Sequence, residues 1–495
     1  MFKSERIHNL IYLGFVLALA IFLKIPSLFE PNHYGDEGIY QAIGQVIKSG
    51  GLLYQDVWDN KPPLLYLVYA LSNGDQLSTR LLSLIFGLLA ISIFYFLAQR
   101  IFSKRSKLAL GTTLLFAILF SLPLLEGNIA NAENFMLAPI ILAFYLVFKN
   151  APESKTTQKL HSAVPNINLL PFFLAGLFLA FSFLFKIIAI FDLGALLVFT
   201  GISLWNRKNQ LMKGGTALLF GFALPIILTG IIFGAQGTFR AFLSASFSQN
   251  VSYIAWGNKL LIAQGALIGK IFLLAAFCFF LFWRRKNLSR GEILVFSWWG
   301  FSLFNAFFAG RPWIHYLLVL IIPFCLMLGL VFSKIKFRFL ALVFILLTLL
   351  AGTRFWIYGK TFDYYQNFYS FILGQKSLSD YRDFWGDHVN RDYRVAEFIK
   401  SKTSVREPVF IWGNDAQIYV LANRPPVARY VVAYHMGFSP SAERDTTQSV
   451  LQKKPRYFII LESQEVLPPD LKSVLTQFYR PTFEEKGYLV YEKRR

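Results

Sequence analysis

Apolar runs about twenty residues long recur along this chain, and that recurrence bounds what it can fold into. A bilayer span takes roughly 20 consecutive apolar residues, and such runs repeat up to about residue 356. Charged residues are 16% of the 495, against roughly 25% in an average soluble protein. The expectation is a polytopic α-helical membrane protein of about 11 transmembrane helices with some soluble mass attached. The formal charge of +21 does not argue for nucleic acid, because many Lys and Arg sit in short clusters between the runs, where orientation rules place them. Cys278 and Cys325 both lie inside apolar runs, so no disulfide framework is implied. The first run, Ile11 to Phe29, has no small-residue cleavage site and carries Lys24-Ile25-Pro26 near its end. It reads as a retained span, not a cleaved signal peptide.

Basic clusters set the topology. Lys3 and Arg6 precede the first span, which puts the N-terminus in the cytoplasm and a first loop, 30–76, outside. Lys104, Arg105 and Lys107, then Lys149, Lys155 and Lys159, then Arg207, Lys208 and Lys213, mark inside turns. Residues 169–205 are long enough for two spans, with a tight outer turn near Lys186. The stretch 234–259, with Arg240, Gln249, Asn250, Tyr253 and Trp256, is a second outside segment. Arg284-Arg285-Lys286 and Lys334, Lys336 and Arg338 close later spans inside, and a last span over about 339–357 exits again. Residues 1–360 therefore form the transmembrane module, and 361–495 an extracytoplasmic α/β domain. Val409–Trp412, Tyr457–Leu461 and Tyr488–Tyr491 read as strands. Tyr393–Lys400 and Pro469–Tyr479 have helical spacing, and strands alternating with helices suggest a small α/β domain.

The first loop is the longest early stretch that cannot lie in hydrocarbon. It carries Asp36, Glu37, Asp56, Asp59 and Lys61. Adjacent residues on a helix diverge by about 100°, so Asp36 and Glu37 do different jobs: one faces a reaction site while the other is held by a structural partner. Ile39, Ile43, Val46 and Ile47 follow at amphipathic spacing. They predict a helix along the membrane surface, ended by Gly50-Gly51. Pro62-Pro63 stiffens the chain before Leu64. An ordinary solvated loop with a capping Asp is the plainer alternative.

Three further constellations stand out. Glu133, in Asn131-Ala-Glu133-Asn134, either belongs to a site or simply favours a helix N-terminus through the dipole. Lys186 and Asp192 interrupt an apolar run, where ionisable groups are costly and usually functional. Lys186 alternatively snorkels to the outer boundary, and Asp192 is expected to pair with a cation from another span. Arg311 and His315 reach the outer boundary, and Arg suits bidentate phosphate binding. The alternative there is an anchor alongside Trp313 and Tyr316. The spacing offers no metal-ligand cluster and no phosphate-binding or dinucleotide glycine pattern in a suitable context.

Asp36-Glu37 after a first span, followed by Asn60-Lys61-Pro62-Pro63-Leu64, resembles the first outer loop of GT-C glycosyltransferases, in the protein O-mannosyltransferase and lipid A aminoarabinose transferase branch. Gly310 to Tyr316 with Leu317-Leu318, and Phe410-Ile-Trp412-Gly413 with Ile418-Tyr419 and Asn423-Arg424-Pro425, resemble further recurrent segments of such enzymes. Asp59-Asn60 stands where the aminoarabinose branch has an aromatic-acidic pair. The large lumenal domain of eukaryotic O-mannosyltransferases has no counterpart.

The resemblance implies an inverting enzyme of the inner (plasma) membrane that passes a sugar from a polyprenyl-phosphate donor to an extracytoplasmic glycan, lipid or protein acceptor. Asp36 is then the candidate general base, with Glu37 placing it or binding acceptor. Lys61, Arg311, Lys186 and His315 are candidate cations for the departing phosphate. Tyr34, Tyr40 and Trp58 are candidates to pack against the sugar ring, or interface anchors. No cofactor is required, and a divalent cation, which some relatives bind, is left open. The competing class is a transporter or flippase using Lys186 and Asp192 as a pathway. Transporters often show related halves, and no internal symmetry is evident. A non-catalytic lipid-phosphate-sensing protein is the third class.

Overall fold

The structure, a computed structural model, describes residues 2–103, 105–151, 167–260, 264–333, 338–355, 358–462 and 466–494. Lys104, Lys155, Lys159, Lys334 and Lys336, which helped to set the topology, lie outside the described residues.

Helices occupy every stretch read as a span. Among the described residues, six of them are long and apolar enough to cross a bilayer: Ile7–Leu28, Gln76–Ile101, Ala132–Asn150, Lys208–Ala235, Gly265–Arg284 and Ile314–Phe332. Shorter apolar helices include Ser106–Ser121, Leu170–Phe185 and Phe339–Leu350. Many of their side chains face outward as bare hydrocarbon. On Gly265–Arg284, Phe272, Leu273 and Phe279 are 73%, 68% and 70% exposed, which water would penalise and lipid accepts. The chain is a multi-pass membrane protein. The 169–205 run folds as expected into two helices, Leu170–Phe185 and Ile190–Ser203. They are separated by an extended Lys186 and a single 3-10 turn, Ile187–Ala189.

The chain divides into two compact units. The first comprises Met1–Ile25, Leu82–Ile232 and Val251–Thr361. The second comprises Pro26–Leu81, Phe233–Asn250 and Phe362–Arg495. The first outer loop, expected to go with the transmembrane module, therefore packs as one body with the C-terminal residues.

Within the second unit, the amphipathic pattern forms the helix Gly35–Lys48. Asp36 and Glu37 fill its first turn and Lys48 its last, the polarity the helix dipole favours. Gly50, at φ +92°, ends it. Pro63 opens the next helix, Pro63–Leu71, at a position where its missing N–H is no loss. The two helices touch backbone to backbone: a Cβ on Gly44 would stand 2.6 Å from the Tyr69 carbonyl carbon. Helix Gln417–Ala422 packs on the same helix, and Ile39, Tyr40, Ala42 and Ile43 are buried. The apolar stripe is thus covered by protein. The expected position along the membrane surface is corrected on this point, because an amphipathic pattern does not say whether lipid or protein covers it.

The C-terminal sheet has four strands, β1 (Phe410–Trp412), β2 (Tyr457–Leu461), β3 (Tyr479–Glu485) and β4 (Tyr488–Lys493), in the order β1-β2-β4-β3. β1 and β2 are parallel, with Ile411 opposite Ile459, and the other pairings are antiparallel. β3 was not expected. It is an edge strand whose residues after Tyr479 are mostly exposed, and it carries Arg480, Pro481 and Glu484, the features that blunt a sheet edge and hide it from a hydrophobic pattern. Its core includes Phe410, Trp412, Val450, Phe458, Leu471 and Tyr479.

Candidate functional site

The acidic pair divides its labour as the helix geometry requires. Glu37 turns inward, 2% exposed, and both its oxygens accept from the Arg80 guanidinium, Nε to Oε1 at 3.1 Å and Nη2 to Oε2. Arg80 also donates to Glu30 Oε2 at 2.7 Å and to the Ser27 carbonyl. Glu30 accepts further bonds from the Tyr364 hydroxyl and pairs with His33 at 3.0 Å. Burial opposes ionisation of Glu30, but Arg80 and His33 outweigh it and hold the carboxyl down to about 2. This buried Glu30–Arg80–Glu37 triad fixes the entry to helix Gly35–Lys48. Glu37 is its structural member, with both oxygens committed to Arg80.

Asp36 turns the other way, and its side chain remains 33% exposed. Tyr40, one turn along, donates its hydroxyl to Asp36 Oδ2 at 2.8 Å. Burial, reinforced by Asp36 and Asp59, pushes the Tyr40 phenol well above its ordinary range, so it stays a donor. Lys61 Nζ lies 3.5 Å from Asp36 Oδ2, 3.7 Å from Asp59 Oδ2 and 4.8 Å from the centre of the Tyr40 ring. One ammonium is thus shared by two carboxylates at distances longer than a tight pair.

Asp59 anchors the far side. It is 2% exposed, accepts the Tyr66 hydroxyl at 2.7 Å and the Asn60 N–H at 2.7 Å, and faces His435 Nε2 at 3.6 Å. Burial, partly offset by Asp59, pulls His435 down to about 4, which keeps the imidazole neutral near pH 7. The Lys61 carbonyl accepts from Tyr54, whose hydroxyl accepts in turn from Ser246. Asn60 is held by Asn250. Lys61 therefore sits on a backbone fixed from several sides.

The aromatic candidates are packed inside. Tyr40 is 1% exposed and Trp58 3%, the latter against Tyr430, His435 and Phe438. Tyr34 is half-buried and caps the helix through its carbonyl, which accepts from the Gly38 N–H at 3.0 Å. Burial leaves Tyr40 and Trp58 without an open ring face for a sugar.

The remaining candidates belong to the first unit. Lys186, placed at the end of helix Leu170–Phe185, forms an ion pair with Glu133 in the first turn of Ala132–Asn150 and lies 4.6 Å over the Tyr316 ring. It does not simply snorkel. His315 Nδ1 meets Glu126 Oε2 at 2.8 Å. Arg311 is half-buried and follows Gly310, whose φ is +63°. A Cβ on Gly310 would come 2.0 Å from the Gly257 carbonyl oxygen, so only glycine fits that turn. Asp192 departs from expectation: its partner is the neutral Trp298 indole N–H at 3.0 Å, not a cation. A neutral donor suffices where a second charge would itself need desolvation.

Sequence reasoning did not single out Tyr66, Arg80 or His435, and it named Asp59 without giving it a role. Arg80 had a usable signal, a cation in the outer turn of an apolar run. His435 had none, since it reaches Asp59 from 376 residues further along the chain.

Residues 51–241 match the family model dolichyl-phosphate-mannose-protein mannosyltransferase. Residues 390–494 match the model for the C-terminal domain of the competence-induced protein Ccs4. No curated protein matches the chain. Among solved structures, it is similar to ArnT from Cupriavidus metallidurans bound to undecaprenyl phosphate, at 14% identity and a TM-score of 0.58, covering 97% of each chain. It also resembles the Archaeoglobus fulgidus oligosaccharyltransferase in its apo form (13% identity, TM-score 0.47, 98% of this chain and 74% of that one). The same archaeal enzyme, AglB, in complex with an inhibitory peptide and a dolichol-phosphate matches at 13% and 0.45, over 99% and 75%. With a mannosyltransferase-type domain over 51–241 and an ArnT-like architecture along nearly its whole length, the chain has the fold of the GT-C glycosyltransferase superfamily.

Proposed function

We propose that the protein is an inverting glycosyltransferase of the cell inner membrane, with a cytoplasmic N-terminus. It moves a sugar from a polyprenyl-phosphate donor to a hydroxyl of an extracytoplasmic glycan, lipid or protein. The observation that carries this reading is the Asp36–Lys61 arrangement: a part-exposed carboxylate and an ammonium 3.5 Å apart on a rigid frame. As the acceptor oxygen attacks the anomeric carbon, Asp36 takes its proton. The bond from that carbon to the phosphate oxygen breaks on the opposite face, and the lipid phosphate leaves with the electron pair. Lys61, shared by two carboxylates, lies where it can meet the developing phosphate charge. Tyr40 keeps one Asp36 oxygen engaged and so orients the other. General base catalysis of this kind contributes roughly 10²–10⁴-fold.

Glu133, Lys186, Arg311 and His315, in the first unit, are likewise proposed to bind substrate, Arg311 through its fork-shaped donor set. Glu37 acts by placing Asp36. No step requires a cofactor or a divalent cation.

The test is incubation of the purified protein in lipid with a panel of polyprenyl-phosphate sugars and hydroxyl acceptors. Mass spectrometry follows donor loss and product. A glycosylated acceptor of inverted configuration is expected. Movement of donor across the bilayer with no glycosylated product would instead establish a flippase.

A further inference from the structure

The second unit carries a cleft of about 1010 Å³, at the upper end of the roughly 300–1,000 Å³ typical of small-molecule sites. Asp36, Glu37, Lys61 and His435 are not among its lining residues. Its walls are two helix faces. Ala42, Gln45, Val46 and Ser49 come from Gly35–Lys48, and Asp445, Gln448, Ser449, Gln452 and Lys453 come from helix Ala442–Lys453. Each set is spaced three and four residues apart, one face of a helix. Gln55 and the segment Asn423–Val427 also line it.

Most of the charges in this cleft are satisfied within the protein, and Arg406, exposed among its lining residues, is the exception. Arg424 directs its guanidinium to the Thr403 hydroxyl and to the carbonyls of Lys400, Ala422, Asn423 and Thr403. Arg429 pairs with Asp445 at 2.6 Å, and Lys453 donates to the Val427 carbonyl at 2.7 Å. The side-chain amides of Gln45, Gln55, Gln448 and Gln452, by contrast, have no hydrogen-bond partner among the described residues. An amide offers a donor pair and an acceptor side by side, which matches neighbouring hydroxyls on a sugar ring. A phosphorylated or acidic ligand would want more unspent cations than the exposed Arg406. A peptide hydrophobic anchor would want a deeper apolar pocket than two helix faces edged with glutamines.

We infer that this cleft is a binding site for a neutral glycan chain, several sugars long, and that it holds the acceptor. The second half of the inference rests on the transferase reading above; the first half does not. The walls predict a linear chain lying along the two helix faces, contacted mainly through hydroxyl-to-amide hydrogen bonds. Such contacts are individually weak, so affinity is expected to grow with chain length.

The experiment measures binding of maltotetraose, cellotetraose, chitotetraose and α-1,6-mannotetraose to the full chain in lipid nanodiscs. Saturation-transfer NMR screens the set and titration gives the affinity. At least one tetrasaccharide is expected to bind, with its monosaccharide at least tenfold weaker. The double variant Gln448→Ala/Gln452→Ala should weaken the tetrasaccharide at least tenfold. Ser449→Trp, which fills the cleft from the same helix, should abolish it. Binding of none of the four, or equal binding by the cleft variants with intact folding, overturns the site. Displacement by a neutral tetrapeptide overturns the glycan assignment. Glycan binding that is lost in the cleft variants but accompanied by no sugar transfer keeps the site and removes the transferase reading.

Discussion

Two of the molecule's lysine–carboxylate arrangements are built to opposite ends. Lys186 and Glu133 form one tight pair, with Glu133 2% and Lys186 14% exposed. Lys61 is shared between Asp36 and Asp59 at 3.5 and 3.7 Å, and Asp36 is 33% exposed. Breaking a closed, desolvated pair leaves a buried charge uncompensated. A shared ammonium at longer range can exchange one anion for another at small cost. The first design suits holding substrate-binding side chains in one place, and the second suits exchanging partners with an arriving phosphate. The Glu30–Arg80–Glu37 triad shows both in one loop, since it locks one member of the acidic pair so that the other can stay open.

Several substitutions and treatments press on that contrast. The largest effect is expected from Asp36→Asn, which should lower transfer by about 10²–10⁴-fold while leaving the thermal midpoint in place. A variant with full activity would remove Asp36 as the base. Glu133→Ala should act on stability as well as on substrate binding, by about 3–5 kcal/mol, read as a lower unfolding midpoint in detergent. Adding Lys186→Met should restore much of the loss, because the orphaned charge goes with it. Lys61→Ala should reduce turnover by about 10²–10³-fold, the range for a lost electrostatic donor, with little change in stability. If Lys61→Ala unfolds the protein as badly as Glu133→Ala does, the distinction between the two pairs collapses.

A pH titration separates the clusters further. His435 has a folded value near 4, below the roughly 6.5 of an unfolded histidine. Between these values the unfolded chain binds the extra proton, so stability should fall as pH drops from about 6.5 toward 4 and be flat above 6.5. The loss is on the order of 3 kcal/mol. His435→Gln should flatten that window and leave the loss below about pH 4.5 that comes from protonating Glu30. The smallest effect is expected from chelation: excess EDTA should change transfer less than twofold.

The sequence made the spans visible because apolar length is a one-dimensional property. It made the divergence of Asp36 and Glu37 visible because adjacent positions on a helix must point apart. It showed the hairpin at Lys186 for the same kind of reason, through length and a lone charge. It did not show which member of the acidic pair turned inward, since that depends on Arg80 and, through Glu30, on Tyr364. It offered Tyr40 and Trp58 either as sugar-packing residues or as interface anchors, because aromatic residues near a polar loop look alike, whether they stack on ligand or, as Trp58 does, on Tyr430 and Phe438. It missed His435 and β3 because their roles follow from partners brought together by folding.

The triad also has a consequence in time. Arg80 and Glu37 are made early, but Tyr364, which completes Glu30, lies 334 residues after it, and Gln417 and His435 come later still. At roughly 5–20 residues per second, the ribosome would have passed Asp36 by some tens of seconds before its supports exist. The loop that carries the proposed base therefore matures last, although it is among the first segments made. A nascent chain has its membrane helices well before the residues that support Asp36 have been made.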